Sequence, residues 1–229
     1  MHGAIKIDIW SDLVCPWCYI GKRRLEEGMK DFAGREESVP IDIEWHSYEL
    51  SPDTPLDIPK AETEVSYLVR HKGLSETKAR EMLARVTDIA TSVGLTYDFD
   101  TVKPANTVKA HQLLHHARAK GFQAEAKERL FSAHFTEGRD LGNDDILAEL
   151  ASEVGLDRDE FLLALREERH LAAVRADQEQ ARAFGITGVP FFVIDGRYAI
   201  SGAQSAETFT GALLKVVAER GEAGESAPR

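Results

Sequence analysis

Cys15 and Cys18 are the only cysteines of this sequence, and Pro16 and Trp17 stand between them. A dithiol exchanges with disulfides when one sulfur is an accessible thiolate and the second can reach it. Spacing i, i+3 at a helix start meets both needs, because side chains three apart share a face. The unpaired N–H groups and positive dipole end of the first turn favour a thiolate. Proline at the first helical position forfeits nothing, since that N–H has no intrahelical partner. A lowered pKa at Cys15 is therefore expected, with Cys18 shielded and resolving. Two other readings stay open. The pair could be half a zinc site, completed by histidines such as His111 and His115 at i, i+4. It could also be two inert thiols. With no further cysteines, neither a four-cysteine metal site nor a framework of structural bridges can form.

The flanking sequence supplies elements to position the pair. Ala4 to Trp10 alternates, with Ile5, Ile7 and Ile9 on one side and Lys6 and Asp8 on the other, as a strand does. A helix is predicted from about Pro16 to Phe32, with Leu25, Met29 and Phe32 on one stripe and Gly34 as its stop. Pro40 to Glu49 alternates again through Ile41, Ile43 and Trp45. Strand, helix and strand make a βαβ unit with both cysteines at the first strand-to-helix turn.

Pro52, Pro55 and Pro59 break this pattern, and from about Lys60 to Phe184 the periodicity is helical. Ser75 opens one helix that Gly94 closes, and Pro104 starts another that ends near Gly121. A third covers about Gln123 to Thr136, and Asn143 opens a fourth ended by Gly155. Asp157 with Glu160 fits a capping box, and a further helix from about His170 stops at Gly185. No fixed-period repeat runs through these helices, which argues against a solenoid. Val189 to Ile194 reads as a short strand, Asp195-Gly196 as a hairpin turn and Tyr198 to Ile200 as the returning strand. A last helix follows from about Ser205 to Arg220. The pattern is β-α-β, a helical block, then β-β-α, and the outer pieces are too small for separate cores. The expected organisation is one α/β domain in two parts, 1–58 and 185–221, around a helical insertion at 59–184. Residues 222–229 read as a disordered tail.

Composition narrows the function classes. Thirty-nine acids against 28 bases leave a net charge of −11, which argues against nucleic acid or an anionic membrane as partner. The longest apolar run, Val189 to Ile194, is far shorter than the ~18–20 residues of a membrane span. Lys6, Asp8 and Asp12 interrupt what would be the apolar core of a secretion signal. The cytoplasm is the expected compartment, where a lone Cys-x-x-Cys reads first as a redox pair.

Cys15-Pro16-Trp17-Cys18 after a strand, a long helical insertion, and Gly188-Val189-Pro190-Phe191-Phe192 before a strand resemble the DsbA family of thioredoxin-fold proteins. Ser11-Asp12-x-x-Cys15, Pro104-Ala105-Asn106-Thr107 and Gly202-Ala203-Gln204 resemble its FrnE-like branch. That branch is also similar to 2-hydroxychromene-2-carboxylate isomerases and kappa-class glutathione transferases, which typically carry serine at the outer thiol position. The resemblance spans nearly the whole chain except the tail. It implies a thioredoxin-like fold interrupted by the helical insertion, Cys15 as nucleophile and Cys18 as resolving thiol. It implies a cis-proline at Pro190, with the Val189 backbone, Pro16 and Trp17 facing the substrate. Sequence alone leaves the Val189–Pro190 peptide open between cis and trans. One departure concerns the proton of the buried thiol. Many relatives place an acid six residues before the first cysteine, where this chain has Ile9. Asp8 is the nearest acid and becomes the candidate shuttle, against the alternative of an Asp solvated at a strand edge.

Asn106 is a substrate-binding candidate under the resemblance, whereas helix capping by Asn106 and Thr107 is the plainer reading. His46 and Tyr48 read as a solvated strand end, and His115-His116 as the border of an apolar face. Ser205 reads as a helix cap whose turn could also take a carboxylate of a glutathione-like ligand.

Three functions compete. The first is a cytoplasmic thiol-disulfide oxidoreductase acting on protein or small-molecule thiols and disulfides. It needs no metal and no cofactor beyond its own Cys15–Cys18 disulfide, with glutathione as a candidate substrate or reductant. The second is a glutathione-dependent isomerase or transferase, disfavoured by cysteine at both positions. The third is a redox-switched binding protein or holdase that works through the helical block. An apolar insert can also pair with a second copy, so a homodimer is compatible with the sequence.

Overall fold

A computed structural model describes residues 3–59 and 61–225. The elements run β1 (Ile5–Ser11), α1 (Pro16–Ala33) and β2 (Ile41–Ser47), then seven helices, then β3 (Phe191–Ile194), β4 (Tyr198–Ser201) and α9 (Ala206–Glu225). The intervening helices are α2 (Glu64–Lys72), α3 (Glu76–Ser92), α4 (Val108–Ala119), α5 (Gln123–Phe135), α6 (Asp144–Glu153), α7 (Arg158–Arg166) and α8 (Leu171–Ala183).

All four strands form one sheet in the order β2-β1-β3-β4. β1 is central, parallel to β2 with Ile7 opposite Ile43, and antiparallel to β3 with Ile9 opposite Phe192. Alternation along β1 divides its side chains between two layers. Ile5, Ile7 and Ile9 pack with Leu25 and Phe32 of α1 and Phe209, Leu213 and Val216 of α9. Trp10 points the other way and packs with Ala181 of α8 and Ile186. The sheet is covered on both faces, which is why its central strand is so apolar. α8 therefore belongs by packing to the sheet, although in sequence it closes the helical block.

Two glycines let α1 seat closely. A Cβ at Gly28 would lie 2.7 Å from the Ala206 carbonyl oxygen of α9. One at Gly21 would lie 2.9 Å from Pro190 Cγ.

Helix starts follow the caps read from sequence. Ser75 accepts from Lys78 N–H, Asn143 from Asp145 and Ile146 N–H, and Asp157 from Glu160 N–H. Two boundaries differ. α4 starts at Val108, not at Pro104, because the Asn106 side chain accepts from Val108 N–H and holds residues before it outside the helix. α9 runs to Glu225, so residues 222–225 of the expected tail are helical. Residues 226–229 lie outside the described residues.

The helical block and the cysteines share one core. Cys15, Cys18, Leu13, Tyr19 and Ile20 cluster with Leu113 of α4, Phe131 and Phe135 of α5, and Leu147 and Phe161 beyond.

Candidate active site

Cys15 is the N-cap residue of α1 in extended conformation, and Pro16 opens the helix. No side chain caps this end and no acid sits in the first turn. Both cysteines are free thiols, and both are buried. Cys15 borders a cavity of about 680 Å³ that Cys18 does not reach. The cavity lies between the cysteine turn and the helical block, walled by Trp17, Tyr67, Leu83, Phe99 and Ala105 among others. Trp17 is 38% exposed at its rim.

Across from Cys15 lies the loop entering β3. The Val189–Pro190 peptide is cis. The Cys15 thiol faces the Val189 carbonyl oxygen at 3.7 Å. Pro190 rests over Gly21 of α1, and its carbonyl accepts from Gly202 N–H at 2.8 Å. The Gly202-Ala203-Gln204 turn therefore braces the proline loop. On the helix side, Tyr97 donates to the Pro16 carbonyl at 2.7 Å.

The dithiol holds its proton asymmetrically, in the opposite sense from the one expected. Hydrogen bonding to the Cys18 sulfur pushes the Cys15 thiol well up, and burial and the nearby Asp12 carboxylate push the same way. The Val189 carbonyl, an acceptor, also suits a protonated Cys15. Burial on its own would raise Cys18, but its net shift is downward. The Cys15 thiol, the neighbouring Ser11 hydroxyl, the Lys127 charge and the Asp12 backbone outweigh burial there. The helix start alone does not decide the matter, because donors and positive charge converge on the deeper sulfur.

Asp8 lies on the strand face away from Cys18. It shares a strand face with Trp10, while Ser11, beside Cys18, is on the face of Ile7 and Ile9. Asp8 instead bonds Lys6 at 2.9 Å and His46 at 2.8 Å. An offset of one residue along a strand reverses its face.

Asn106 is not a wall of the Cys15 cavity either. Its amide donates to the Thr54 carbonyl at 2.7 Å and accepts from Val108 N–H at 3.0 Å. It borders a separate cavity near Glu49 and Lys109. The capping alternative describes it.

Among the described residues, no metal-ligand cluster includes Cys15 or Cys18. His111 faces Asp12 at 3.3 Å, and His115 bonds Ser47 and Asp177 at 3.1 Å each. Among the described residues, Asp8, Glu44 and His46 approach chelating range, but Lys6 and Arg118 already engage both carboxylates.

His46 is buried, not solvated. Its ring stacks on Trp10 at 4.5 Å between centroids, and its two nitrogens face Asp177 and Asp8.

Three contributors escaped the sequence reading. Asp12 is buried, accepts from Leu13 and Leu50 N–H and faces His111. Tyr97 anchors the helix start from outside the βαβ unit. Lys127 of α5 is fully buried beside the dithiol. A signal for Lys127 was present: Leu130, Phe131 and His134 follow it at i+3, i+4 and i+7, placing a lysine on the buried stripe.

Residues 6–214 match the family described as the DSBA-like thioredoxin domain. The chain belongs to this family. Among curated proteins, the uncharacterized protein YwbO of Bacillus subtilis is 31% identical over 214 residues, covering 92% of this chain and 96% of the relative. A solved structure of a probable DsbA oxidoreductase from Streptomyces coelicolor is 32% identical with a TM-score of 0.84, covering 98% of this chain and 92% of that one. A 2-hydroxychromene-2-carboxylate isomerase superposes with a TM-score of 0.70 at 18% identity, covering 97% of this chain and all of the other, and shares the fold. The DSBA-like assignment and the α/β thioredoxin-type architecture agree with the sequence reading. The chemistry of this family is thiol-disulfide exchange or a related isomerisation. No helix among the described residues is long and apolar enough to cross a membrane.

Proposed function

We propose that the protein is a thiol-disulfide oxidoreductase that works through the Cys15–Cys18 pair. The observation that carries this reading is the placement of two free thiols at the start of α1, with only Cys15 open to the cavity and facing the Val189 carbonyl. In the oxidised form a substrate thiolate attacks the Cys15 sulfur. The Cys15–Cys18 bond breaks and Cys18 leaves as a thiolate, a role its lowered pKa suits. A second substrate thiolate then attacks the substrate sulfur of the mixed disulfide, and Cys15 leaves and takes up a proton. The reverse sequence reduces a substrate disulfide. Pro16, Trp17, Val189 and Pro190 form the surface against which the substrate sulfur is held. The Val189 backbone is suited to pair with an extended substrate segment.

The proposed substrates are protein or small-molecule disulfides in a reducing cytoplasm, and the Cys15–Cys18 disulfide is the sole redox group. Cys15→Ser abolishes exchange, whereas Cys18→Ser accumulates mixed disulfides visible by mass spectrometry. Undiminished exchange by Cys15→Ser overturns the proposal.

A second reading follows from the cavity. Its size and its position beside Cys15 suit a glutathione-sized ligand, the requirement of a glutathione-dependent isomerase. Calorimetry with reduced glutathione, and incubation with glutathione disulfide, both on Cys18→Ser, separate the two. Non-covalent binding with no trapped disulfide supports isomerisation, and trapping without reversible binding supports exchange.

A further inference from the structure

Part of the wall of the Cys15 cavity comes from the segment after β2, through Leu50, Ser51 and Thr54. This segment belongs to no helix or strand. On its far side Glu49, Pro52, Asp53 and again Thr54 border the second cavity, of about 570 Å³. The segment is therefore a partition with open space on both sides. Packing cannot fix such a partition in place, so ties to other elements must.

Those ties are at its two ends. At the start, the Leu50 N–H donates to Asp12 Oδ2 at 2.8 Å. The other oxygen of that carboxylate accepts from Leu13 N–H at 2.7 Å, in the turn that carries Cys15, and faces His111 of α4 at 3.3 Å. One buried carboxylate thus joins the partition to the cysteine turn. At the far end, the Thr54 carbonyl accepts from the Asn106 amide at 2.7 Å, and Asn106 Oδ1 accepts from Val108 N–H at the start of α4. The Thr54 hydroxyl also bonds the Tyr67 hydroxyl of α2 at 2.8 Å. The ties close on themselves through α4, because His111 and Val108 both belong to it. Asp12, Asn106 and His111 are each more than nine-tenths buried. A buried polar network with its bonds made is stiff, since leaving one unmade there is costly.

We propose that the Leu50–Thr54 partition is the selectivity filter of the Cys15 cavity, held at a fixed width by Asp12 and Asn106, and that it admits disulfide and thiol partners by girth. Both residues act through the partition and are positioning residues. The proposal deepens the oxidoreductase reading by naming what its site accepts. A slender disulfide, on a small molecule or an extended chain end, reaches Cys15, and a bulky one is held at the rim, where Leu50 and Trp17 are 43% and 38% exposed. Cutting a tie lets the partition retreat into the second cavity. The bulky partner then gains access, whereas the slender one had it already.

The test reads access to Cys15 alone and needs no exchange activity. In a Cys18→Ser chain Cys15 is the sole thiol. It is alkylated with iodoacetamide and with 5-iodoacetamidofluorescein, which carry the same reactive group on different bulk. The ratio of the two rates cancels the intrinsic reactivity of the sulfur and reports girth. A hydrogen bond is worth about a factor of five in an equilibrium, so Asp12→Asn and Asn106→Ala should each raise the bulky-to-small ratio about fivefold. Leu50→Ala trims the partition without cutting a tie and should raise the ratio too. Thr210→Val cuts a buried hydrogen bond from α9 to the Gly28 carbonyl, where neither residue borders either cavity, and should leave the ratio unchanged. A ratio unmoved in the folded tie variants, or in Leu50→Ala should those not fold, overturns the filter. An equal rise in Thr210→Val assigns the effect to general loosening and overturns it as well. Absence of disulfide exchange by the parent chain, with a ratio that still responds to the ties, overturns the oxidoreductase reading and leaves the filter standing.

Discussion

The hydroxyl of Tyr97 donates to the carbonyl of Pro16 at 2.7 Å, so the helical block holds the first residue of the active-site helix. Tyr97 is buried against Phe135 and Tyr19, and its ring keeps its place without the hydroxyl. Tyr97→Phe removes the second hydrogen bond to a carbonyl that still accepts within the first turn of α1. It should cost about 1 kcal/mol of stability. Thermal unfolding of the reduced chain checks this, and an unchanged midpoint would mean that the bond contributes nothing net.

A second expectation concerns pH and the His46–Asp177 pair. Burial would lower His46, but hydrogen bonds to Asp177 and Asp8 raise it above its ordinary value. Burial would raise Asp177, but His115, His46 and Ser47 N–H hold it far below the usual carboxylate range. The raised histidine contributes fully below about pH 6.5, and its share is lost as pH rises through the folded value. The depressed carboxylate contributes fully above about pH 4, and its share is lost as pH falls through the folded value. Urea unfolding should therefore show more stability at pH 5.5 than at pH 8.5 from this pair. In Asp177→Asn that difference should shrink; a profile identical to the parent would refute the account.

The two close glycines of α1 should respond differently to alanine. A methyl at Gly28 meets the Ala206 carbonyl at 2.7 Å and Phe209 Cβ at 2.8 Å, neither of which can swing aside. Alanine there gains about 1 kcal/mol of helix propensity, set against ~1–3 kcal/mol of overpacking. Gly28→Ala should thus be neutral to destabilising by up to about 2 kcal/mol. Gly21→Ala presses on Pro190 and should change the exchange rate more than the melting temperature. Paired melts and glutathione-linked turnover assays distinguish the two effects.

Alkylation offers a direct view of the shared proton. Hydrogen bonding to Cys18 holds the Cys15 thiol up in the reduced pair, so its rate with iodoacetamide should climb only at alkaline pH. Cys18→Ser removes that sulfur acceptor, and the Cys15 profile should move to lower pH. Mass spectrometry of the alkylated peptide gives the rates, and profiles that coincide would contradict the assignment.

The parts of the site that were legible in sequence are those whose geometry is local. Cys15-Pro16-Trp17-Cys18 marks a helix start by its own residues, and Asp195-Gly196 marks the hairpin that returns β4 beside β3. Caps at Ser75, Asn143 and Asp157 are likewise settled within three residues. Lys127 was invisible as a site residue because its meaning depends on α5 packing against α1, more than a hundred residues apart in sequence. For Asp8 the face is decided by strand parity and not by proximity in sequence to the cysteines. For Asn106 the plainer capping reading fits, its polar atoms being satisfied within the fold by backbone at Thr54 and Val108.

The common core of the cysteines and the helical block bears on how such a chain can change over evolutionary time. An insertion that merely decorated a sheet could be shortened, replaced or lost. Here Phe131, Phe135 and Leu113 are walls of the chamber that holds the sulfurs, and Lys127 stands among them. Grafting the four-residue cysteine turn onto another scaffold would move the thiols and leave their dielectric behind. The inheritable unit of this chemistry is the turn together with the helices that enclose it.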